Sequence, residues 1–152
     1  MYQLRTIQNI PIQVEQAWDF FSKPDNLAKI TPGYMNFKIL SRSDAGEMYP
    51  GMIISYKVSP LLNWSLNWAT EITQIKEYKY FIDNQVKGPY NIWHHEHHFK
   101  EINGGTEMRD ILFYDVPFGF IGRIAHKLFI HKRVNEIFKY RVHKIKELFG
   151  EL

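Results

Sequence analysis

The sequence predicts an α+β fold in which one curved antiparallel sheet wraps around a long C-terminal helix. Three observations carry this reading. Residues of roughly 120–149 contain no proline and no glycine after Gly122, and their apolar side chains recur at three- and four-residue steps. Upstream of them lie six segments with strand character, separated by clusters of turn residues. A first strand and two short helical segments precede those six. A helix that long needs a sheet to lie on, and a meander of six antiparallel strands supplies it. The result is a bent sheet around one helix, with space between them.

Taken in order, residues 3–10 read as a strand that Pro11 ends, because proline has no N–H to donate to a ladder. Residues 14–22 suit a short helix, with Val14, Ala17, Trp18 and Phe21 at helical spacing. Trp18 and Phe21 serve to pack this helix. Residues 24–30 suit a second helix with Pro24 in its first turn, stopped at Thr31-Pro32-Gly33. Strands follow at 36–43 and 52–59, the stretch between them rich in turn residues, with Pro60 expected to close the second. Residues 64–76 and 79–87 form the next two strands, and Gly88-Pro89 marks a turn. Residues 90–102 and 106–116 form the last hairpin around Asn103-Gly104-Gly105, where an Asn-Gly step favours a tight turn matched to strand twist. In the final helix Ile124, Leu128, Ile130, Val134, Ile137, Phe138, Val142, Ile145 and Phe149 make one stripe along about 28 residues, some 42 Å at the helical rise.

The 152 residues fit one domain, 1–152, without repeat, linker or low-complexity segment. Aromatics reach 16%, which suggests bulky walls around something. Cysteine is absent, which removes disulfides, thiol catalysis and thiolate-held metals. The N-terminal stretch has no apolar run of signal-peptide type, and no run of about 18 apolar residues reads as a membrane span. The cytoplasm is the default compartment, and stable membrane insertion is not expected. Net charge is +3, much of the excess lying after Ile121 at Arg123, Lys127, Lys132, Arg133, Lys139, Arg141, Lys144 and Lys146. Such a face reads first as the solvated side of an amphipathic helix; it also admits peripheral contact with an anionic surface, and no nucleic-acid partner is expected. No dinucleotide fingerprint, phosphate loop, nucleophile elbow or His-Glu-x-x-His zinc motif occurs, so a conventional dehydrogenase, kinase or hydrolase is not indicated.

The chemistry concentrates in residues 88–114. Side chains alternate along a strand, so Trp93, His95, His97 and Phe99 share one face, and His94, Glu96, His98 and Lys100 the other. On the next strand Met108, Asp110, Leu112 and Tyr114 share a face with Thr106. The aromatic-bounded face is the better concave side. It buries Asp110, and a buried carboxylate must find a partner or change its pKa. His95 or His97 is the partner expected across the hairpin. Phe81, Asp83 and Gln85 share a face one strand earlier and extend the same polar cluster. The tryptophans Trp64, Trp68 and Trp93 and the tyrosines Tyr56, Tyr80 and Tyr114 are candidates to stack on a planar ligand, although aromatics also fill ordinary cores.

Several of these residues resemble a known superfamily. Gly88-Pro89-Tyr90, Trp93-x-His95-x-His97-x-Phe99, Gly105-Thr106-x-Met108-x-Asp110, Tyr114 and Pro117-Phe118-Gly119 look like the SRPBCC proteins, which include START, Bet v 1-like and polyketide-cyclase-like members. Phe81-x-Asp83-x-Gln85 and Trp68-x-Thr70-Glu71-Ile72 resemble a bacterial branch of it, some of whose members are associated with cell-division-inhibitor proteins. The motif resemblance spans about residues 64–122, and the element order nearly the whole chain. It implies a helix-grip fold of order β-α-α-β6-α with an internal cavity for lipids, sterols, polyketides, quinones or similar molecules. Membership does not choose between carriers, sensors and enzymes.

The first functional reading is therefore a non-catalytic carrier or sensor of a small hydrophobic molecule. Its expected lining is Trp68, Phe81, Asp83, Gln85, Trp93, His95, His97, Phe99, Met108, Asp110, Leu112 and Tyr114, with the polar members orienting one end of the ligand. The second reading is a cyclase- or dehydratase-like enzyme in which His95, His97 and Asp110 form an acid–base set. The third is a lipid-surface or partner-protein module that rests on the basic helix. No cofactor is implied. His94, Glu96 and His98 share a face with metal-ligating side chains, but without cysteine and on the outer face they make no expected metal site.

Overall fold

The computed structural model describes residues 1–43, 46–61 and 64–152. Its elements are β1 (Tyr2–Ile10), α1 (Val14–Phe21), 3-10 turns at Pro24–Ile30 and Gly33–Met35, then β2 (Lys38–Arg42), β3 (Ile53–Leu61), β4 (Trp64–Lys76), β5 (Tyr80–Lys87), β6 (Ile92–Ile102) and β7 (Gly105–Asp115). The chain closes with one helix in three parts: α2 (Gly119–Ala125), a π turn (His126–Ile130) and α3 (His131–Phe149). The seven strands form one antiparallel sheet in the order β1-β7-β6-β5-β4-β3-β2. This is the helix-grip arrangement, with α3 against the concave face.

Register decides which residues meet. Asp83 stands opposite His95 and Phe81 opposite His97 between β5 and β6. Between β6 and β7 the pairs are His97 with Asp110, His95 with Leu112 and Trp93 with Tyr114. Register shifts in β4 beside Ala69 and Ile72 add local bends, which help the sheet curve. Along β7 burial alternates strictly, with Thr106, Met108, Asp110, Leu112 and Tyr114 buried.

Three local expectations change. The second helix, at Pro24–Ile30, is a 3-10 helix; it ends where Pro32 forces Thr31 into an extended conformation (ψ 136°). Pro60 does not close β3, whose backbone runs on to Leu61; the ladder shifts register between Val58 and Leu61, where a missing N–H is tolerated. The last hairpin turns through two residues, Asn103 and Gly104, and only Gly104 takes a positive φ (+84°), so it is not the mirror-image turn that an Asn-Gly step favours. Asp44 and Ala45, in the stretch read as a turn between β2 and β3, lie outside the described residues.

The largest correction concerns the C-terminal helix. Its apolar stripe does not face the sheet throughout. Val134, Phe138 and Ile145 are buried, but Ile124 and Leu128 are exposed. The π turn explains the break: the N–H of His131 bonds to the carbonyl of His126, inserting one extra residue into the turn. One residue is about 100° of rotation, so residues that continue the stripe in sequence point elsewhere before the turn. Gly150, at φ +92°, ends α3 where the sequence places its stop.

Candidate functional site

Between the concave face and α3 lies a cavity of about 180 Å³. Its apolar walls include Ile54, Val58 and Ile72 from the sheet and Val134, Ile137 and Phe138 from α3. Tyr56, Trp68, Tyr90 and Trp93 form an aromatic side, with Trp68 and Trp93 edge to face at 5.1 Å and Tyr90 tilted against Trp93 at 4.7 Å. The polar groups on the wall include Asp83, His95, His97, Thr70, Tyr56 and Arg141, with Lys23, Asn26 and Thr31 on the side of α1 and the 3-10 turn.

The polar cluster is assembled by strand alternation and one helix residue. His97 lies between two carboxylates: its Nε2 is hydrogen-bonded to Asp83 Oδ2 at 2.9 Å, and its Nδ1 is 2.9 Å from Asp110 Oδ1. His95 Nε2 is 3.2 Å from the same Asp110 oxygen, and its Nδ1 is 3.9 Å from Asp83 Oδ2. Arg141 reaches in from α3, 3.6 Å from Asp110 Oδ1 and 3.3 Å from His97 Nδ1. The approaches to Asp110 are close polar contacts that lie off the hydrogen-bonding direction. Among the described residues, Asp110 Oδ1, His95 Nε2, Arg141 Nε and the Trp68 indole Nε1 have no hydrogen-bond partner. Buried polar groups left so are expensive, and a ligand carbonyl or hydroxyl is the kind of group that relieves them.

The protonation states follow from these contacts. Burial works against charge on Asp110, but Arg141 and the two histidines outweigh it and hold its carboxyl well below the usual range. Burial and the neighbouring His97 push His95 down, so His95 sits neutral. Burial also opposes charge on His97, yet Asp110 and Asp83 prevail over it and over Arg141, and its pKa is raised. The cluster thus sets the Asp110 carboxylate and the Arg141 guanidinium against a neutral His95 and a His97 drawn toward its charged form. An NMR titration of the ring resonances is expected to show His97 changing state above pH 6.5 and His95 below it. The opposite order would mean that the two carboxylates do not govern the pair.

Of the residues expected to line the cavity, Trp68, Phe81, Asp83, Trp93, His95 and His97 do so. Asp110 lies directly behind the two histidines, buried and in contact with both. Gln85 is turned to the loop after β5, where its side chain donates to the carbonyl of Tyr90 (2.6 Å) and accepts from the N–H of Tyr90 (3.3 Å). Phe99 and Met108 pack with Val14 and Phe21 of α1, beyond the cavity wall. Leu112 and Tyr114 pack beneath Val134 and Phe138. The Tyr114 hydroxyl bonds to His126 Nε2 at 2.8 Å, and burial and the neighbouring Tyr2 push its pKa up to about 12. Trp64 is exposed, and Tyr80 packs on His98, 5.7 Å between ring centroids, on the outer face. Phe21, assigned only to packing, also lines the cavity.

Sequence reasoning missed Arg141, grouped there with the solvated lysines of the helix. Its signal was positional: it falls seven residues after Val134 and three after Phe138, on the buried stripe. Tyr56, a stacking candidate in the sequence, does lie on the wall, whereas Thr70 was missed there; their hydroxyls meet at 2.6 Å, and burial and Asp83 raise the Tyr56 pKa.

On the outer face Glu96 is engaged by both neighbours, His94 at 3.2 Å and His98 at 2.7 Å, and His94 also bonds Asn84. Inside, Asp83, His95 and His97 bring one ligating atom each within 4.8 Å of one another. The Arg141 guanidinium beside them opposes a dication there.

Residues 10–137 match the family model described as polyketide cyclase / dehydrase and lipid transport. The match does not single out the branch associated with cell-division-inhibitor proteins. No curated protein sequence matches the chain. Among solved structures, a protein from Chromobacterium violaceum is similar over 100% of both chains, with TM-score 0.75 and 10% identity. The di-domain ARO/CYC StfQ of the steffimycin biosynthetic pathway is similar over 97% of this chain and 50% of its own, with TM-score 0.73 and 9% identity. Ara h 8.0201 is similar over 96% of this chain and 98% of its own, with TM-score 0.61 and 11% identity. At these identities the likeness is one of fold.

Proposed function

Because the chain belongs to the polyketide cyclase / dehydrase and lipid transport family, within the SRPBCC superfamily, we propose that it holds a small, largely apolar molecule between the sheet and α3 as a non-catalytic carrier or sensor. The observation that carries this reading is the cavity of about 180 Å³ whose mostly apolar wall carries the polar cluster of Asp83, His95, His97 and Arg141. Burial of apolar area, at roughly 25 cal/mol per Å², drives binding. The neutral His95 and the unpartnered Trp68 indole N–H orient the ligand through a hydrogen-bond acceptor such as a carbonyl oxygen. Native mass spectrometry of gently purified protein, followed by organic extraction, is expected to reveal an apolar compound at one per chain. If no compound co-purifies, and none binds from a panel of fatty acids, quinones and aromatic polyketides, the carrier reading is wrong.

One observation favours a second reading, an enzyme of cyclase or dehydratase type. His97 is held between carboxylates on the cavity wall with a raised pKa, as a general acid needs, and His95 beside it is neutral, as a base needs. Exchange of both for Gln preserves volume and polarity. On the catalytic reading, His95→Gln with His97→Gln abolishes turnover of a bound polyketide-like substrate and leaves its affinity within about threefold. Full turnover in the folded double variant rules that reading out.

A further inference from the structure

Where β7 gives way to the C-terminal helix, six large apolar side chains stand in water: Phe118 (81% exposed), Phe120 (67%), Ile121 (72%), Ile124 (44%), Leu128 (59%) and Phe129 (61%). Isolated exposed apolar residues are ordinary, but a contiguous group of this kind marks an interaction surface. The backbone supports the display. Phe118 holds φ +68°, a conformation a bulky residue adopts only at a cost, and its ring gains no packing in return. The π turn at His126–Ile130, which itself carries Leu128 and Phe129, sets this group apart from the buried stripe of α3.

Charge indicates what the surface meets. Residues 116–135 contain four cations, Arg123, Lys127, Lys132 and Arg133, and no Asp or Glu. Arg123, Lys127 and Lys132 are exposed, and Arg123 lies over the Phe120 ring at 5.8 Å. Arg133 pairs with Glu136 at 3.1 Å. Exposed apolar side chains fringed by cations are complementary to the headgroup region of an anionic bilayer, where rings enter the acyl boundary and cations stay at the phosphates. No helix among the described residues is long and apolar enough to cross a membrane, so the geometry is that of a helix lying on the surface.

We propose that the exposed face of residues 118–132 docks the protein on an anionic lipid bilayer. Docking adjoins the ligand space, since the same helix continues into Val134, Ile137, Phe138 and Arg141 of the cavity wall. The surface does not depend on the cavity's function, and the two are tested separately.

The test is co-sedimentation with vesicles of phosphatidylcholine alone or mixed with phosphatidylglycerol. The protein is expected to bind the mixed vesicles at low salt and to be released as salt rises. Phe120→Ser with Leu128→Ser and Phe129→Ser is expected to weaken partitioning about tenfold or more, and Arg123→Gln with Lys127→Gln and Lys132→Gln by roughly 100-fold. All six positions are exposed, so both variants should keep the parent's circular dichroism and urea midpoint. Failure of the parent protein to bind mixed vesicles at low salt overturns the proposal, as does undiminished binding by the folded apolar variant. A parent that is dimeric by sedimentation velocity, with a monomeric Ser variant, also overturns it, since the face would then be occupied by a second copy of the chain.

Discussion

Asp110→Ala is expected to destabilise the fold by about 3–5 kcal/mol at neutral pH, the range for removing one partner from a buried ion pair. The reason lies in what remains. Arg141 and His97 are both buried, and without Asp110 only Asp83 is left to balance them. Urea unfolding, read as a fall in midpoint at unchanged slope, measures the effect. Exchanging Asp83, His97, Asp110 and Arg141 together for apolar residues of similar volume is expected to recover most of the loss, because no buried charge is then stranded. A single-variant loss below about 1 kcal/mol would show that Asp110 is far better solvated than its 4% exposure implies.

The same cluster sets the pH dependence of stability. Asp110 titrates below its ordinary value, so its contribution is present above pH 3.8 and is lost as pH falls through its native pKa. His97 is raised, so its contribution is full below pH 6.5 and is lost as pH rises through its native pKa. His95 is lowered and acts in the opposite sense, its contribution present above pH 6.5 and lost on acidification.

Phe138→Ala is expected to cost about 3 kcal/mol, the lower end for deleting a buried aromatic ring, because one side of Phe138 already faces the cavity. Its ring packs with Leu112, Tyr114 and Val134 and stands 5.4 Å from His95. Deletion also enlarges the cavity where the polar cluster meets α3. Native mass spectra of the variant should therefore show retention of a larger apolar ligand than the parent holds. If stability falls and the ligand profile is unchanged, Phe138 supports the core without shaping the ligand space.

Much of the site was legible because a strand has a period of two. Once β5, β6 and β7 are strands, Asp83 must share a face with Phe81, His95 and His97 with Trp93 and Phe99, and Asp110 with Met108 and Leu112. The aromatic residues indicate which face is buried, and burial demands a partner for Asp110. The number of strands and the extent of the final helix follow from the same local patterns. Those patterns do not say how far along a strand the cavity reaches. Phe99, Met108, Leu112 and Tyr114 share the inner face, yet α1, α3 and the start of the C-terminal helix cover them.

The sequence by itself determined the classes of element, their order and the residues that share each face, because these depend on neighbours within a few positions. Tertiary structure alone decided three things. Strand register placed His97 opposite Asp110. The angle of α3 across the sheet brought Arg141 to within 3.6 Å of that carboxylate and turned a basic helix residue into part of a buried cluster. The π turn, a hydrogen-bond slip of one residue, rotated Ile124 and Leu128 away from the stripe they continue in sequence. All three depend on how distant segments pack, and a hydrophobic period read along the chain carries no information about a phase change imposed by that packing.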